Sequence, residues 1–351
     1  MTVPSFGMRP GSFPRALACL LLATLAACGS RPPSPAPVDP DATGTMTFAP
    51  PIRIGIALGG GAAKGFAHIG VIKMLEANGF APSVVAGTSA GSVVGALYAS
   101  GMNAFELQEK AVALDEARIR DLQLSSGGLV LGQKLEDYVN EQVRRKPLEQ
   151  LAKPFVAVAT RLEDGERTVF ARGNTGQAVR ASSSVPGVFQ PVTIGKYHYV
   201  DGGIVSPVPV DAARQLGADV VVAVDISNKA RGQTPSHLLG ALNQSIAIMG
   251  QKLGQAELAR ADIIIRPQVL DMGPADFTQR ASAIVEGEKA ALAVMPQLRE
   301  RVAKLQAERA QAVRQAQQKA AEAEHKACLE NRSRLQKLAG TVGLDGSCER
   351  P

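Results

Sequence analysis

Short apolar runs rich in β-branched residues alternate with segments of helical periodicity from residue 52 onward. Such alternation is typical of parallel strands that helices cover on both faces. The pattern therefore predicts an α/β fold, a three-layer α/β/α sandwich with a mostly parallel central sheet. The predicted strands are Ile52–Leu58, Ser83–Ala86, Phe155–Thr160, Val220–Asp225 and Ile263–Arg266. The predicted helices include Phe66–Asn78, Ala90–Ser100, Lys134–Val143 and Val210–Gln215.

We place this predicted domain at residues 52–295, with one further segment before it and one after it. Residues 28–51 are rich in Pro, Ser and Ala and have no apolar period, which indicates a tether. Residues 296–351 shift to Ala, Gln, Glu, Lys and Arg, and a short apolar stripe is formed by Leu298, Val302 and Leu305. This composition predicts a charged, exposed helical extension at the C-terminus.

The formal charge of +6 belongs to the two ends of the chain. Residues 296–351 hold 11 Lys and Arg against 7 Asp and Glu, and Arg9 and Arg15 lie in the first segment, so residues 28–295 are neutral. A neutral body argues against nucleic acid as a partner. The basic tail is either attracted to anionic headgroups and envelope polymers or is simply a solvated helix.

Residues 1–27 have the pattern of a secretory signal peptide, because a basic start precedes a 12-residue apolar run, Ala16 to Ala27. That run is too short to span a bilayer. The sequence Leu-Ala-Ala before Cys28 resembles a bacterial lipobox, which implies acylation of Cys28 and a lipid anchor in the membrane. Gly29 in place of Asp then implies the periplasmic face of the outer membrane. An ordinary signal peptide with an incidental cysteine is the alternative.

Only Cys328 and Cys348 remain after cleavage and acylation, since Cys19 leaves with the signal peptide. In an oxidising compartment these two cysteines are predicted to form a disulfide. A loop of about 20 residues would stabilise the local structure by roughly 3 kcal/mol. Two free thiols are the alternative.

The strongest chemical signal is the G-x-S-x-G sequence from Gly87 to Gly91, with Ser89 at its centre. A predicted strand runs into it and a predicted helix runs out, which is the setting of a nucleophile elbow. The two glycines would permit a sharp turn that exposes the Ser89 hydroxyl above the positive end of the helix dipole. A glycine-rich structural turn without chemistry is the alternative.

A second signal is the glycine-rich loop Gly59-Gly60-Gly61-Ala62-Ala63-Lys64-Gly65, between a predicted strand and a predicted helix. Backbone N–H groups of such a loop can bind an oxyanion or a phosphate. Nucleotide-binding motifs fail on spacing, because Gly65 stands where a Walker A loop needs Ser or Thr, and Lys64 stands where the dinucleotide fingerprint needs Gly. Lys64 could stabilise the loop or attract an anionic headgroup. A plain glycine turn is the alternative.

A third signal, Asp201-Gly202-Gly203, follows the short apolar run Tyr197–Val200. An acidic residue at a strand end can project into a site at the edge of a sheet, although Asp–Gly pairs are also common in turns.

Together the three motifs resemble the patatin-like phospholipase family, which has a glycine-rich oxyanion loop, a G-x-S-x-G elbow and a D-G-[GA] aspartate in this order. The segment from Ala181 to Pro191 is similar to the family's region before that aspartate. The resemblance covers roughly residues 52–228 and is weaker out to about residue 295. Plant patatins begin the loop with Asp-Gly-Gly-Gly, whereas Gly59 and Ala62 replace the Asp and the third Gly here.

The resemblance implies a catalytic dyad of Ser89 and Asp201, without histidine or cofactor, and an oxyanion hole formed by the N–H groups of Gly60 and Gly61. The four histidines fit this interpretation. His68 is expected to pack or lie at the surface, His198 is the one credible rival base, and His237 and His325 fall in a loop and in the tail.

The sequence therefore predicts a serine hydrolase of phospholipids or other acyl esters, with a role in lipid metabolism at the cell envelope. Two alternatives are a non-catalytic envelope lipoprotein that uses the fold to bind lipid or a protein partner, and a peptidase or other hydrolase with a histidine-assisted triad. No metal-ligand spacing is present, so neither a metal nor a cofactor is expected.

Overall fold

The computed structural model describes residues 49–119, 121–125, 128–227 and 238–339 of the 351. The strands are β1 (Ile54–Leu58), β2 (Val84–Thr88), β3 (Leu122–Ser125), β4 (Gly128–Val130), β5 (Phe155–Arg161), β6 (Arg167–Phe170), β7 (Val192–Ile194), β8 (Tyr197–Asp201), β9 (Val220–Val224) and β10 (Ile263–Ile265). The helices are α1 (Phe66–Ala77), α2 (Ala90–Ala99), α3 (Ala104–Val112), α4 (Gln133–Gln142), α5 (Thr175–Ser182), α6 (Val210–Gln215), α7 (Leu238–Leu258) and α8 (Arg280–Ala339).

The main sheet has the strand order β10-β9-β1-β2-β5-β8-β7, with β6 also paired to β5. The pairs from β10 to β5 are parallel, and the pairs that β5 and β7 make with β8 are antiparallel, as is the pair β5–β6. A separate two-stranded sheet joins β3 and β4. The prediction of a mostly parallel sheet within an α/β fold is confirmed.

Two apolar clusters lie on the two faces of the sheet, because alternate side chains of a strand point to opposite sides. In β1, Ile56 and Leu58 belong to the larger cluster, whereas Ala57 belongs to the smaller one. The larger cluster includes residues of α1, α2 and α8, and the smaller one includes residues of α6 and Leu258 at the end of α7. Helices therefore cover both faces of the parallel strands, which explains why β1, β2 and β9 are buried throughout.

The C-terminal helix does not begin at the predicted boundary after residue 295. Helix α8 starts at Arg280 and continues through Pro296. The first two residues of the predicted apolar stripe, Leu298 and Val302, are buried in the larger cluster, and Leu305 packs against it. The stripe therefore anchors α8 to the core of the α/β fold, and exposed positions predominate only beyond it.

The predicted lipid anchor involves segments that lie outside the described residues. These include the signal peptide, Cys28 and most of the tether. Cys328 takes part in a disulfide bond and lies in α8, but Cys348 is also outside the described residues, so their pairing stays a prediction. None of the helices that the structure describes combines the length and the apolar character that crossing a membrane requires.

Candidate active site

Ser89 lies at the sharp turn between β2 and α2, where the backbone is strained. Its φ and ψ angles are 53° and −125°, a region that non-glycine residues rarely occupy. The carbonyl of Ser89 accepts hydrogen bonds from the N–H (2.8 Å) and the hydroxyl (2.7 Å) of Ser92, one turn into α2. Helix α2 thus holds the strained turn in place, as in the strand–turn–helix arrangement of a nucleophile elbow.

The flanking glycines allow α2 to pack directly against strand ends. A Cβ atom on Gly91 would lie 2.1 Å from the carbonyl oxygen of Leu58, and one on Gly87 would lie 2.5 Å from the carbonyl oxygen of Gly91. Either side chain would therefore push the helix away from the sheet and displace Ser89.

Asp201 reaches the same place because β5 pairs with two strands in succession. Thr88 at the end of β2 is opposite Val158, and Asp201 at the end of β8 is opposite Ala159, the next residue of β5. Strand β6 occupies the other edge of β5 at both positions, so β2 and β8 share one edge. The ends of β2 and β8 therefore meet, and Ser89 and Asp201 lie side by side.

The carboxyl group of Asp201 is almost completely buried, with 7% of the residue exposed. Its Oδ1 accepts a hydrogen bond of 2.7 Å from the N–H of Gly203. Burial raises the pKa of Asp201 to about 6, although its interactions with the Ser89 side chain and the Gly203 N–H act in the opposite direction. Its Oδ2 completes no hydrogen bond of good geometry with a described residue. This oxygen can therefore accept a proton.

Gly202 brings the Asp201 turn close to the sheet. A Cβ atom on Gly202 would lie 2.1 Å from the carbonyl oxygen of Val158, and one on Gly203 would lie 3.0 Å from Oδ1 of Asp201. The two glycines of this motif therefore allow the carboxylate to approach the end of β2.

Two further serines hold the backbone at Ser89 and Asp201, and sequence reasoning assigned neither of them a role. Ser182 accepts a hydrogen bond of 2.9 Å from the N–H of Ser89 and donates one of 2.6 Å to the carbonyl of Val158. The carbonyl of Ser184 accepts a hydrogen bond of 2.9 Å from the N–H of Asp201. Both lie in the segment that resembles the family's region before the aspartate, so that resemblance was the available signal.

The glycine loop approaches Ser89, but its N–H groups are not all free. A Cβ atom on Gly60 would lie 3.2 Å from the Cβ of Ser89. The Gly60 N–H, however, donates to the carbonyl of Pro207 at 3.0 Å, and the Gly59 N–H donates to that of Val224 at 3.0 Å. Gly60 is therefore not a free oxyanion donor in this conformation, which corrects the expectation for that residue.

Gly61 remains a candidate donor, because no described residue accepts its N–H in a hydrogen bond. A Cβ atom on Gly61 would lie 2.7 Å from the carbonyl oxygen of Ile226, so the loop is closely packed there. Ala62, which stands where plant patatins have the third Gly of the loop, follows with a positive φ of 53° and is a second non-glycine residue in a strained conformation.

Lys64 is buried, with 1% of the residue exposed. A buried ammonium is not presented to a membrane surface, so the structure favours a role within the loop over attraction of an anionic headgroup. Gly65 brings the same segment close to the turn at Ser89, since a Cβ atom on Gly65 would lie 2.8 Å from the Cβ of Ala90.

The two described histidines nearest the motifs in sequence, His68 and His198, have partners other than Ser89. His68 is fully buried, its Nε2 lies 2.9 Å from the carbonyl oxygen of Gly59, and burial lowers its pKa to about 4. His198 is exposed, and its Nδ1 lies 2.8 Å from Oε1 of Glu163. His325 lies in α8 far along the chain, and His237 is outside the described residues.

Two other features of the described residues contribute nothing to this site. A cleft between α3 and α4, with a volume of about 410 Å³, is lined mainly by charged side chains and contains none of the motif residues. Within the described ranges, no group of three or more His, Cys, Asp and Glu residues is arranged to hold a metal ion.

Comparisons with known proteins agree with the motifs. The family model described as Patatin-like phospholipase matches residues 56–214. An uncharacterized NTE family protein of Mycobacterium tuberculosis is 36% identical over 182 residues, which are 51% of this chain and 51% of that protein. Patatin-like phospholipase domain-containing protein 6 of Homo sapiens is 32% identical over 184 residues, which are 50% of this chain and 13% of that protein.

A third relative, Lysophospholipase NTE1 of Pyricularia oryzae, is 26% identical over 279 residues, 70% of this chain and 19% of that protein. The chain thus spans about half the length, or less, of these relatives. Among solved structures, VipD from Legionella pneumophila has a TM-score of 0.48 at 16% identity, over 70% of this chain and 67% of that one. ExoU from Pseudomonas aeruginosa has a TM-score of 0.44 at 15% identity, over 73% and 53%.

Proposed function

We propose, on the premise that residues 56–214 form a patatin-like phospholipase domain, that the protein is a serine hydrolase of phospholipid or related acyl esters. One observation carries the proposal. Ser89, in a strained turn at the end of β2, lies beside the buried carboxylate of Asp201, whose Oδ2 is free to accept a proton. A nucleophile and an adjacent base are the first requirements of covalent acyl transfer.

The reaction would proceed in two acyl-transfer steps. The Ser89 hydroxyl oxygen attacks the ester carbonyl carbon while Asp201 takes its proton. The tetrahedral intermediate then collapses, and Asp201 returns the proton to the departing alcohol oxygen. In the second step, Asp201 takes a proton from water while the water oxygen attacks the acyl-enzyme carbonyl carbon. The second tetrahedral intermediate then collapses, the bond to the Ser89 oxygen breaks, and Asp201 returns the proton to that oxygen, which releases the fatty acid and restores Ser89 and Asp201.

Negative charge on the intermediate has two sources of stabilisation in this arrangement. The Gly61 N–H has no competing acceptor among the described residues and lies in the loop beside Ser89. Helix α2 begins at Ala90, so the positive end of its dipole lies directly after the nucleophile.

The environment of Asp201 suits it to a role as a base. An ordinary aspartate has a pKa near 4 and is a weak base for a hydroxyl. Burial raises the pKa of Asp201 to about 6, which makes it a stronger base that is still mostly ionised at pH 7.

The names of the relatives support a lipid ester as the substrate class. The matched family model is described as a phospholipase and one relative as a lysophospholipase. We further propose, from the lipobox-like sequence at Cys28, that the protein is anchored at the cell envelope. A lipid anchor on Cys28 would then hold the active site close to a membrane that contains its substrate.

Fatty-acid release from phosphatidylethanolamine and phosphatidylcholine vesicles tests the proposal. We expect the purified full-length chain to release fatty acid and lysophospholipid without added metal or cofactor. Vesicle binding without release of either product would contradict hydrolysis and favour the non-catalytic lipoprotein. Cleavage of peptide substrates alone would favour the peptidase alternative.

Replacing His198 by alanine is expected to leave kcat within about threefold of wild type, because the His198 ring is exposed and its Nδ1 contacts Glu163 rather than Ser89 or Asp201. The steady-state rate of fatty-acid release checks this. A loss comparable to that of Ser89→Ala would instead indicate a histidine-assisted triad.

A further inference from the structure

A three-residue segment, Ser206–Val208, contacts all three motifs of the candidate site. The Ser206 N–H donates to the carbonyl of Gly202 at 2.8 Å, and the Ser206 carbonyl accepts from the Thr88 hydroxyl at 2.8 Å. The Pro207 carbonyl accepts from the Gly60 N–H at 3.0 Å. One segment therefore connects the aspartate turn, the residue before the nucleophile and the glycine loop.

Both ends of this segment are held by one carboxyl group, that of Glu257 in α7. Ser206 donates its hydroxyl proton to Oε1 of Glu257 at 2.5 Å, and the Val208 N–H donates to Oε2 at 2.9 Å. Glu257 is buried, with 5% of the residue exposed, and Ser206 and Val208 are fully buried. Each carboxyl oxygen of Glu257 therefore accepts one hydrogen bond from the segment.

The local sequence explains why the segment needs a side-chain acceptor. Pro207 and Pro209 have no N–H group, so the segment cannot be tied down by a regular backbone ladder. Helix α7 also lies close to it, because a Cβ atom on Gly254 would be 3.4 Å from Cγ of Pro207. Glu257 supplies the acceptors from that helix.

Hydrogen bonds, rather than an ion pair, hold Glu257 in this position. Three charged groups on neighbouring elements interact electrostatically with it: Asp211 of α6, Arg167 of β6 and Arg260 after α7. Both arginines pair with Asp211, at 3.5 Å and 2.7 Å. Burial raises the pKa of Glu257 to about 7, so a neutral carboxyl is also accessible near neutral pH.

We infer that Glu257 is a positioning residue for the candidate active site: through Ser206–Val208 it fixes the end of β2 and the glycine loop relative to each other. The inference rests on the proposed function, and Glu257 does not itself touch Ser89 or Asp201. Displacing the loop or the nucleophile by about 1 Å would lower the rate by about 100-fold.

Four variants of the full-length chain test this. Glu257→Ala removes both acceptors. Glu257→Gln can keep both contacts, since its carbonyl oxygen accepts from Val208 and its amide donates to the Ser206 oxygen. Ser206→Ala removes one contact only. Leu298→Ala is the stability control. Leu298 is a buried core residue of α8, so its replacement should lower Tm to a similar extent, but Leu298 is not among the residues that hold Ser206–Val208.

We expect Glu257→Ala to lower kcat by about 100-fold with KM within threefold, and Ser206→Ala to lower kcat by about tenfold. Glu257→Gln should stay within about threefold of wild type and keep the acid limb of its pH–rate profile, since that limb would arise from Asp201. Leu298→Ala should retain kcat. If Glu257→Ala does not fold, the Ser206→Ala and Glu257→Gln pair still decides the question.

The inference is overturned if Glu257→Ala or Ser206→Ala has wild-type kcat, if Glu257→Gln is as impaired as Glu257→Ala, or if Leu298→Ala loses kcat to the same extent. Loss of the acid limb in Glu257→Gln would also overturn it. If the wild type itself hydrolyses no ester, the proposed function fails instead. Hydrogen–deuterium exchange of the Gly60 amide then tests the positioning role without an activity assay. The protection of this amide against exchange should fall in Glu257→Ala, and unchanged protection would refute the connection between Glu257 and the glycine loop.

Discussion

Replacing Ser89 by alanine is expected to reduce hydrolysis of ester substrates by at least about 10⁴-fold, because its hydroxyl is the proposed nucleophile that forms the acyl-enzyme. Ser89 is held at the end of β2 by a strained backbone that the Ser92 hydrogen bonds and the close packing of Gly91 maintain. A missing hydroxyl leaves these backbone contacts intact. The variant should therefore fold, with a Tm close to that of wild type.

The matched control is Ser83→Ala, because Ser83 directly precedes β2, at the opposite end of the strand from Ser89. Its hydroxyl donates to the carbonyl of Ile54 at 3.2 Å and has no part in the site. Rates from the two variants on the same vesicles make the comparison. Substantial turnover by folded Ser89→Ala would show that another residue is the nucleophile.

Asp201→Asn is expected to reduce the rate by about 10⁴-fold, since an amide cannot accept the Ser89 proton. Loss of structure should not account for this. The raised pKa of Asp201 means that the fold favours the protonated form, so its contribution to stability is full below pH about 4, declines as the pH rises through about 6, and is absent above that. The substituted amide side chain carries no charge, and the variant should be at least as stable as wild type at pH about 8.

The pH dependence of wild type gives a second readout of the same residue. Asp201 must be ionised to act as a base, so kcat/KM should rise with pH and reach half its plateau near about pH 6. An aspartate with an ordinary pKa would give a midpoint about two units lower. A rate that is unchanged in folded Asp201→Asn, or a midpoint near 4, would contradict this account of the base.

The sequence predicted those parts of the fold that depend on one strand, one helix or one turn at a time. The β-branched runs at β1, β5 and β9 and the glycine spacing around Ser89 predicted a covered parallel sheet and a strand–turn–helix, because both depend on short-range sequence. The shift in composition suggested a boundary after residue 295, yet α8 starts at Arg280 and continues through Pro296. Tertiary packing of Leu298 and Val302 on the core explains the difference: the sequence shows these residues as an apolar stripe but does not show which surface the stripe packs against.

The site was predictable as a set of motifs but not as a set of contacts. The register of β5, which brings the end of β2 beside the end of β8, is a long-range property of the sheet. The engagement of the Gly60 N–H by Pro207 likewise depends on a residue far along the chain. Glu257 lies in no motif, so only its buried position revealed it.

Covalent labelling with a fluorophosphonate, followed by mass-spectrometric mapping of the modified residue, tests the central claim most directly. Such a probe phosphonylates a serine only where a base and an oxyanion site act on it together. The account predicts modification of wild-type protein at Ser89, strongly slowed labelling of Asp201→Asn and none of Ser89→Ala. Modification at a different serine, or an unlabelled wild-type protein that is correctly folded, would contradict it.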